Sequence, residues 1–281
     1  MNPKTLIKVA SMFLVLVGTY LPGAPSGATP LSSQSSSLDA CGAPASRPAA
    51  RTKARQLVRQ IREDLAGVED QIRGVQFVAD VEAGTASVEQ IAAVVAEEYS
   101  IIRSDLNSFT QMAARWDTPG GSTFFGDLAF GEALAQPLVL DFAANVGLSE
   151  SDLAAYEPRP KGQTYPSRVA WIASNADRAS AAASFLVNFG VFGENMARVR
   201  DALLNVYGFA PEEVEFFSFF AEPIPGFEDD AIEVIATGLQ EGACPRDVRR
   251  SARLLQAYEL DFWQAASDEP GSPLPVSWTP N

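Results

Sequence analysis

Four acidic residues lie where the sequence pattern predicts an inward-facing helix surface: Glu98, Asp105, Glu194 and Glu259. The clearest case is Glu259 in the stretch LLQAYELDFWQAAS, because it falls between Leu255 and Phe262 on an apolar stripe of helical spacing. A buried carboxylate is costly unless it is paired, hydrogen-bonded or protonated, so several of them predict a polar cavity. The alternative is that some helix faces are rotated by a residue or two and these acids meet solvent or arginine.

Histidine is absent from all 281 residues, and this excludes most common catalytic and metal-binding arrangements. Without imidazole there is no Ser-His-Asp or Cys-His catalysis, no imidazole zinc site and no histidine-ligated haem or non-haem iron. The two cysteines, Cys41 and Cys244, form no CxxC motif, so zinc and thioredoxin-type functions fail as well. A metal site would need carboxylates alone, and the candidate set is Glu98, Asp105, Glu194 and Glu222. We expect no metal and no cofactor.

The charge balance disfavours polyanionic partners. Thirty-five acidic and 21 basic residues give a formal net charge of −14, which repels phosphate backbones and anionic membrane surfaces. A basic cluster within residues 47–62 alternates with polar residues and is typical of a solvated helix face. We therefore expect no nucleic-acid partner, while a homo-oligomer stays open.

Residues 1–28 predict an export signal. Two lysines precede the apolar run VASMFLVLVGTYL, which is too short to span a bilayer, and small residues follow up to Ala28. Cleavage there gives a periplasmic or secreted protein without stable membrane association. One alternative is that the start codon is assigned too far upstream, in which case the protein stays in the cytoplasm. The other is that the segment is a short membrane anchor. Residues 29–48 form a low-complexity linker, and export would permit a disulfide between Cys41 and Cys244.

Residues 49–268 predict an all-α domain. A capping box at Ser87 and Gln90 begins a long apolar stripe that runs to Trp116. The stretch AAASFLVNFGVFG, residues 181–193, is apolar nearly all round and predicts a buried central helix of a bundle. No period-two alternation of useful length indicates a sheet. Residues 269–281 are rich in proline and predict a flexible tail.

Three segments together resemble one family. FVADVEAGTASVEQIAAVVAEEYSII is similar to the opening of TenA and PqqC proteins, which have a haem-oxygenase-like helical fold. YELDFWQAA resembles the closing motif of that family, and YPSRVAWIASNADRASAAASFLVNFGVFGEN resembles its Tyr-x-Ser segment and central helix. The resemblance spans roughly residues 68–268 and implies the haem-oxygenase-like fold.

The resemblance also implies roles for particular residues. Glu259 occupies the position of the acid/base glutamate of TenA-like thiaminases, and Tyr165 that of a tyrosine beside the substrate ring. Glu98 takes the place of an aspartate that orients the ring, with a side chain one methylene longer. Asn188 stands where the family has its nucleophilic cysteine and Phe192 where it has a tyrosine. An amide cannot form the covalent intermediate, so the usual thiaminase route is in doubt.

Three functional classes follow. The first is a hydrolase in which Glu259 and Glu98 direct water onto a small nitrogen heterocycle, an aminopyrimidine or a thiamin-related molecule, with Tyr165, Asn188, Phe192 and Glu194 binding it. The second is a binding protein that has lost the chemistry, and the third a structural relative whose pocket is filled by phenylalanines between residues 185 and 220. A carboxylate-only metal oxidase is less favoured. In the first two classes we expect the pKa of Glu259 to be raised by its apolar surroundings.

Overall fold

The computed structural model describes residue 41, residues 46–118 and residues 120–278, and the predicted signal at residues 1–28 lies outside these residues. The described chain contains ten α-helices and no strand. In chain order they are α1 (Arg47–Arg73), α2 (Gln76–Glu82), α3 (Val88–Arg115), α4 (Gly121–Asn145), α5 (Glu150–Ala155), α6 (Thr164–Asn175), α7 (Arg178–Ala202), α8 (Glu215–Ala221), α9 (Phe227–Gln240) and α10 (Pro245–Ala265). The all-α prediction is therefore confirmed.

Helix α7 is the central helix of the bundle. Its first ten residues are all buried, and it packs against α1, α8, α9 and α10. The sequence places alanines and small polar residues there, which lets neighbouring helices approach closely on every side. Asp177 begins the helix by accepting a hydrogen bond from the Ser180 amide at 2.9 Å. The prediction of a buried central helix is confirmed.

Helices α3 and α4 pack along each other beside this core, and α6 packs against both α3 and α10. The predicted capping box is present at the start of α3, where Ser87 Oγ accepts from the Gln90 amide at 3.1 Å. The Gln90 side chain accepts in return from the Ser87 amide at 2.8 Å. The capping box fixes the first turn of α3. It thereby helps to determine the direction in which the helix face with Glu98 and Asp105 points.

The C-terminal segment differs from the predicted flexible tail. Through Trp278 it lies against the domain: the Gly271 amide donates to the Tyr156 hydroxyl at 3.0 Å, and the Ser277 amide donates to the Val146 carbonyl at 3.0 Å. The Trp278 ring stacks on Phe209 with centroids 4.5 Å apart. The proline content suggested a mobile segment. The apolar side chains between the prolines instead pack against the helical domain, as Trp278 does against Phe209 and as the burial of Leu274 shows.

A disulfide joins Cys41 to Cys244, residues that are 203 positions apart. Cys244 is the residue that precedes α10, so the bond ties the chain before α1 to the start of the last helix. Cys41 lies in the predicted low-complexity linker of residues 29–48, and this bond gives it a fixed position. In the part of the chain that the structure describes, no helix is long and apolar enough to cross a bilayer.

Candidate active site

Four of the predicted site residues converge on one cavity of about 900 Å³. Glu98 comes from α3, Tyr165 from α6, Asn188 from α7 and Glu259 from α10. All four are buried in the folded protein, with at most 8% of any residue exposed. The cavity therefore brings together side chains that are up to 161 positions apart in the sequence.

Glu259 lies at the inner wall and is held by two donors. Asn188 Nδ2 donates to its Oε2 at 3.0 Å, and Trp263 Nε1 donates to its Oε1 at 2.7 Å. Burial raises the pKa of Glu259 to about 7, although both hydrogen bonds act to lower it. The expected rise of this pKa is found, and it makes Glu259 able to hold or release a proton near neutral pH.

Asn188 is part of a hydrogen-bond chain that leads away from the cavity. Its Nδ2 also donates to Gln256 Oε1 at 3.1 Å, and Gln256 Nε2 donates to Glu69 Oε1 on α1 at 3.4 Å. The amide of Asn188 is thus oriented from two sides, with its nitrogen committed to acceptors on α10. In this geometry Asn188 positions Glu259.

Two more carboxyls lie on α3, two turns apart on the same face. Burial raises the pKa of Glu98 well above its usual range, and repulsion from Glu259 and Asp105 adds to the effect. The pKa of Asp105 is also raised, by burial first and by repulsion from Glu259 second, while hydrogen bonding with Tyr165 opposes the rise. Asp105 Oδ1 is buried and has no hydrogen-bond partner.

Glu132 on α4 is a site residue that the sequence interpretation missed. It lines the cavity, and burial raises its pKa well above the usual range, with further contributions from repulsion by Asp105 and Glu98. Glu132 lies on the helical stripe of the buried residues Leu128, Ala135 and Val139, but α4 is apolar on most of its sides, so the sequence pattern does not single this stripe out. Glu132 thus joins Glu98, Asp105 and Glu259 as a fourth carboxyl in the inner part of the cavity, one more than the α3 and α10 patterns predict. The other carboxyl residues of the lining are Asp127, Glu194, Glu222 and Glu228.

The other predicted site residues lie at different depths of the cavity: Tyr165, Phe192 and Glu194. Burial and the surrounding carboxyls raise the pKa of Tyr165 well above its usual value, which keeps its hydroxyl protonated as a donor. Phe192 is half-buried and packs edge-on against Phe220 with centroids 5.5 Å apart. Glu194 is exposed, and its carboxylate accepts from Arg73 Nε at 2.6 Å, so it lies at the cavity rim and not among the inner carboxyls.

The aromatic residues line the cavity without filling it. Phe185 and Phe216 are fully buried in the core, as a structural role requires, but Phe189, Phe219 and Phe220 are half-buried and border the open space. Two of the carboxylates considered for a metal site contact arginine instead: Glu194 pairs with Arg73, and Glu222 lies 3.8 Å from Arg200. Among the described residues, no three potential protein ligands form a metal-binding group.

This helical architecture is the haem-oxygenase-like fold. Comparable solved structures include a TenA homologue from P. horikoshii OT3, with TM-score 0.61, 15% identity, and coverage of 75% of this chain and 97% of that one. A TenA homologue from Pseudomonas syringae pv. tomato gives TM-score 0.63 at 13% identity, covering 83% and 98%. A domain of unknown function from Shewanella denitrificans, described as having a heme oxygenase-like fold, gives 0.59 at 19% identity, covering 74% and 89%.

The sequence model of the TENA/THI-4/PQQC family matches residues 70–269. The chain belongs to this family, as the three sequence segments indicated. No curated protein matches it. The low identities to the solved structures establish the fold alone, so the chemistry of the site has to be argued from its own side chains.

Proposed function

We propose that this protein binds a small basic nitrogen heterocycle, an aminopyrimidine or a thiamin-related molecule, and hydrolyses it by carboxylate acid/base catalysis. The observation that carries the proposal is Glu259: a buried carboxyl with a pKa of about 7, oriented by two hydrogen bonds and exposed to the cavity. Each carboxyl oxygen of Glu259 accepts one of these hydrogen bonds and has a second lone pair that can accept a hydrogen bond from a ligand nitrogen. A group with this pKa exchanges protons efficiently at neutral pH.

The reaction that fits is the replacement of an amine on the heterocycle by hydroxyl. Water adds to the carbon that bears the amine, and the π electrons of the ring C=N bond move to the ring nitrogen. The ionised form of Glu259, whose pKa is about 7, takes a proton from this water. Glu98, which its raised pKa keeps protonated, gives a proton to the leaving nitrogen. The ring C=N bond then re-forms, the bond to the leaving nitrogen breaks, and ammonia or an amine departs. Tyr165, held in its protonated form, donates a hydrogen bond beside the ring. Proton transfer from Glu259 to Glu98, directly or through water, restores the starting state.

The direct attack of water is favoured because the described lining of the cavity offers no thiol and no alkyl hydroxyl. Among the described residues that line the cavity there is no cysteine, serine, threonine, lysine or histidine. Asn188 occupies the position of the family cysteine and is tied into the hydrogen-bond chain, while Cys244 is bonded to Cys41. A covalent intermediate of the thiaminase type therefore has no candidate side chain within the described lining.

The test is turnover of aminopyrimidines and thiamin by the wild type and by Glu259→Gln, with ammonia release and product mass as readouts. We expect wild-type turnover, loss of at least a hundredfold in kcat for Glu259→Gln, and ligand affinity within a few-fold of wild type. Equal activity in the two proteins would exclude Glu259 as an acid/base group. Glu63→Gln, on the exposed face of α1, is the matched control.

A non-catalytic binding protein is the second candidate, and Asn188 is the observation that favours it. The variant Asn188→Cys restores the thiol that the family resemblance places at this position. If hydrolysis appears only in that variant, the natural protein is a binder. If neither protein binds any such ring, the function assigned to the cavity is wrong.

We also propose that the protein works outside the cytoplasm. The Cys41–Cys244 disulfide supports this, because such bonds persist mainly in oxidising compartments. Mass spectrometry of the protein from its own cells should show a chain that begins near residue 29 and contains no free thiol. An intact Met1 with two reduced cysteines would contradict export.

A further inference from the structure

The ionisable side chains in the interior of the cavity are almost all acidic. Its four inner carboxyls come from Glu98, Asp105, Glu132 and Glu259. Among the described lining residues the only basic one is Arg62, which is half-exposed at the rim and donates to the Glu228 carboxylate at 3.1 and 3.2 Å. The acidic groups of the interior therefore have no basic side chain beside them, and a cation is the ligand that would pair with them.

Asp105 supplies an independent sign of a missing donor. The residue is 2% exposed, its Oδ1 has no hydrogen-bond partner, and it borders the cavity. A buried acceptor without a donor destabilises the protein, and a donor on a ligand removes that cost. The family resemblance assigns no role to Asp105 or to Glu132, so these two carboxyls are free for a ligand group that the proposed reaction does not use.

The mouth of the same cavity is apolar and open to solvent. Phe130 and Leu134 lie one turn apart on α4 with 62% and 45% of each residue exposed, and Ile224, in the loop before α9, is 51% exposed. Three of the five large apolar residues that are exposed in the described chain thus border one opening. Phe189 and Phe227 continue the apolar wall inward. A contiguous exposed apolar surface that leads into a cavity is typical of a ligand-binding groove.

We propose that the cavity takes an amphiphilic organic cation, with a basic nitrogen at the carboxyls of Asp105 and Glu132 and a hydrophobic arm along Phe130, Leu134 and Ile224. The inference rests on the proposed function in that both use this cavity. It goes further in naming the ligand class: an amine or a nitrogen heterocycle that bears an apolar substituent. The arm covers the exposed apolar mouth, and the cationic group supplies the donor that Asp105 Oδ1 lacks.

Isothermal titration with straight-chain alkylamines from butylamine to octylamine at pH 7.5 tests this, with octanol and octanoate as matched probes. Octylamine should bind at least tenfold more tightly than octanol, and octanoate should not bind, because the carboxyls repel it. Each methylene added to the amine should tighten binding about three- to fourfold while it still reaches the apolar mouth.

Variants separate the two halves of the site. Asp105→Asn should abolish the preference for octylamine over octanol while octanol affinity stays unchanged, which also shows that the variant is folded. Asp64→Asn on the exposed face of α1 is its control. The double variant Phe130→Ser with Leu134→Ser should flatten the dependence on chain length, whereas Trp171→Ser, 49% exposed and outside the cavity lining, should not.

Three outcomes overturn the inference: equal affinity for octylamine and octanol, a full amine preference in Asp105→Asn, or affinity independent of chain length. Its failure is distinguishable from that of the proposed function. If aminopyrimidines bind and react while the alkylamine series fails, only the amphiphilic ligand class is wrong. If alkylamines bind as expected but no heterocycle does, the cationic subsite stands and the proposed hydrolysis is wrong.

Discussion

Replacing Glu259 with glutamine should change how the stability of the folded protein depends on pH. The pKa of Glu259 is about 7 in the folded protein against an ordinary value of 4.5, so the folded state binds this proton more tightly than the unfolded state. The resulting contribution to the free energy of unfolding is fully present below pH 4.5 and is lost as the pH rises through 7. Glutamine carries no such proton and removes this pH dependence.

The magnitude follows from the two pKa values. Between pH 5 and pH 8 the ionisation of Glu259 destabilises the wild type by about 2.5 kcal/mol, and the variant escapes this loss. Loss of the Glu259 charge also relieves repulsion on Glu98 and Asp105, which acts in the same direction. We therefore expect the stability of Glu259→Gln relative to wild type to increase by at least about 2 kcal/mol over this range.

A pH-independent cost has to be kept apart from this effect. The glutamine Nε2 cannot accept the hydrogen bond that Asn188 Nδ2 gives to Glu259 Oε2, and losing that bond costs about 1–2 kcal/mol at every pH. The informative quantity is thus the change between pH values, measured by urea denaturation at pH 5, 6, 7 and 8. Glu63→Gln should follow the wild type throughout. Parallel curves for wild type and Glu259→Gln would refute the assignment of a neutral-range pKa to Glu259.

The remaining predictions concern the scaffold. Arg159→Met should lower the free energy of unfolding by about 3–5 kcal/mol, because it removes the guanidinium that lies 3.1 Å from the fully buried Glu97 carboxylate. Adding Glu97→Gln should recover part of this loss. An unchanged free energy of unfolding in Arg159→Met would contradict the importance of this ion pair. Replacing both cysteines with serine should cost about 2–5 kcal/mol in non-reducing buffer and nothing relative to wild type in reducing buffer, since the bond closes a loop of 203 residues. Trp278→Ala should lower stability by about 1–2 kcal/mol through loss of the stacking on Phe209, whereas a free tail would show no change in thermal unfolding.

The sequence predicts the helical framework well because its signals are local. The capping box of Ser87 and Gln90 and the apolar periodicity around Glu259 depend on neighbours within a few residues, and both appear in the structure. The inward orientation of Glu98 and Asp105 followed from the same periodicity. Glu194 was placed with them because it continues the central helix, but its partner Arg73 is 121 positions away and could not be seen from local pattern.

Other features required the tertiary structure. Glu132 lies in an α4 sequence that is apolar on most sides, so its direction becomes clear only once α4 packs along α3. The docking of the C-terminal segment depends on a stacking surface at Phe209 and a carbonyl at Val146, both remote in sequence. Proline content alone could not distinguish a mobile tail from an extended segment that is held in place.

The position of the disulfide has a consequence for how the protein is made. The covalent ring runs from residue 41 to residue 244 and encloses α1 through α9, while α10 lies beyond it. On the proposed export route, the chain crosses the membrane from its N-terminus, so it presents Cys41 early but cannot close the ring until α9 has also crossed. Glu259 follows only after that point. The cavity is therefore completed last, by a single helix that folds back onto a scaffold whose ends can already be linked.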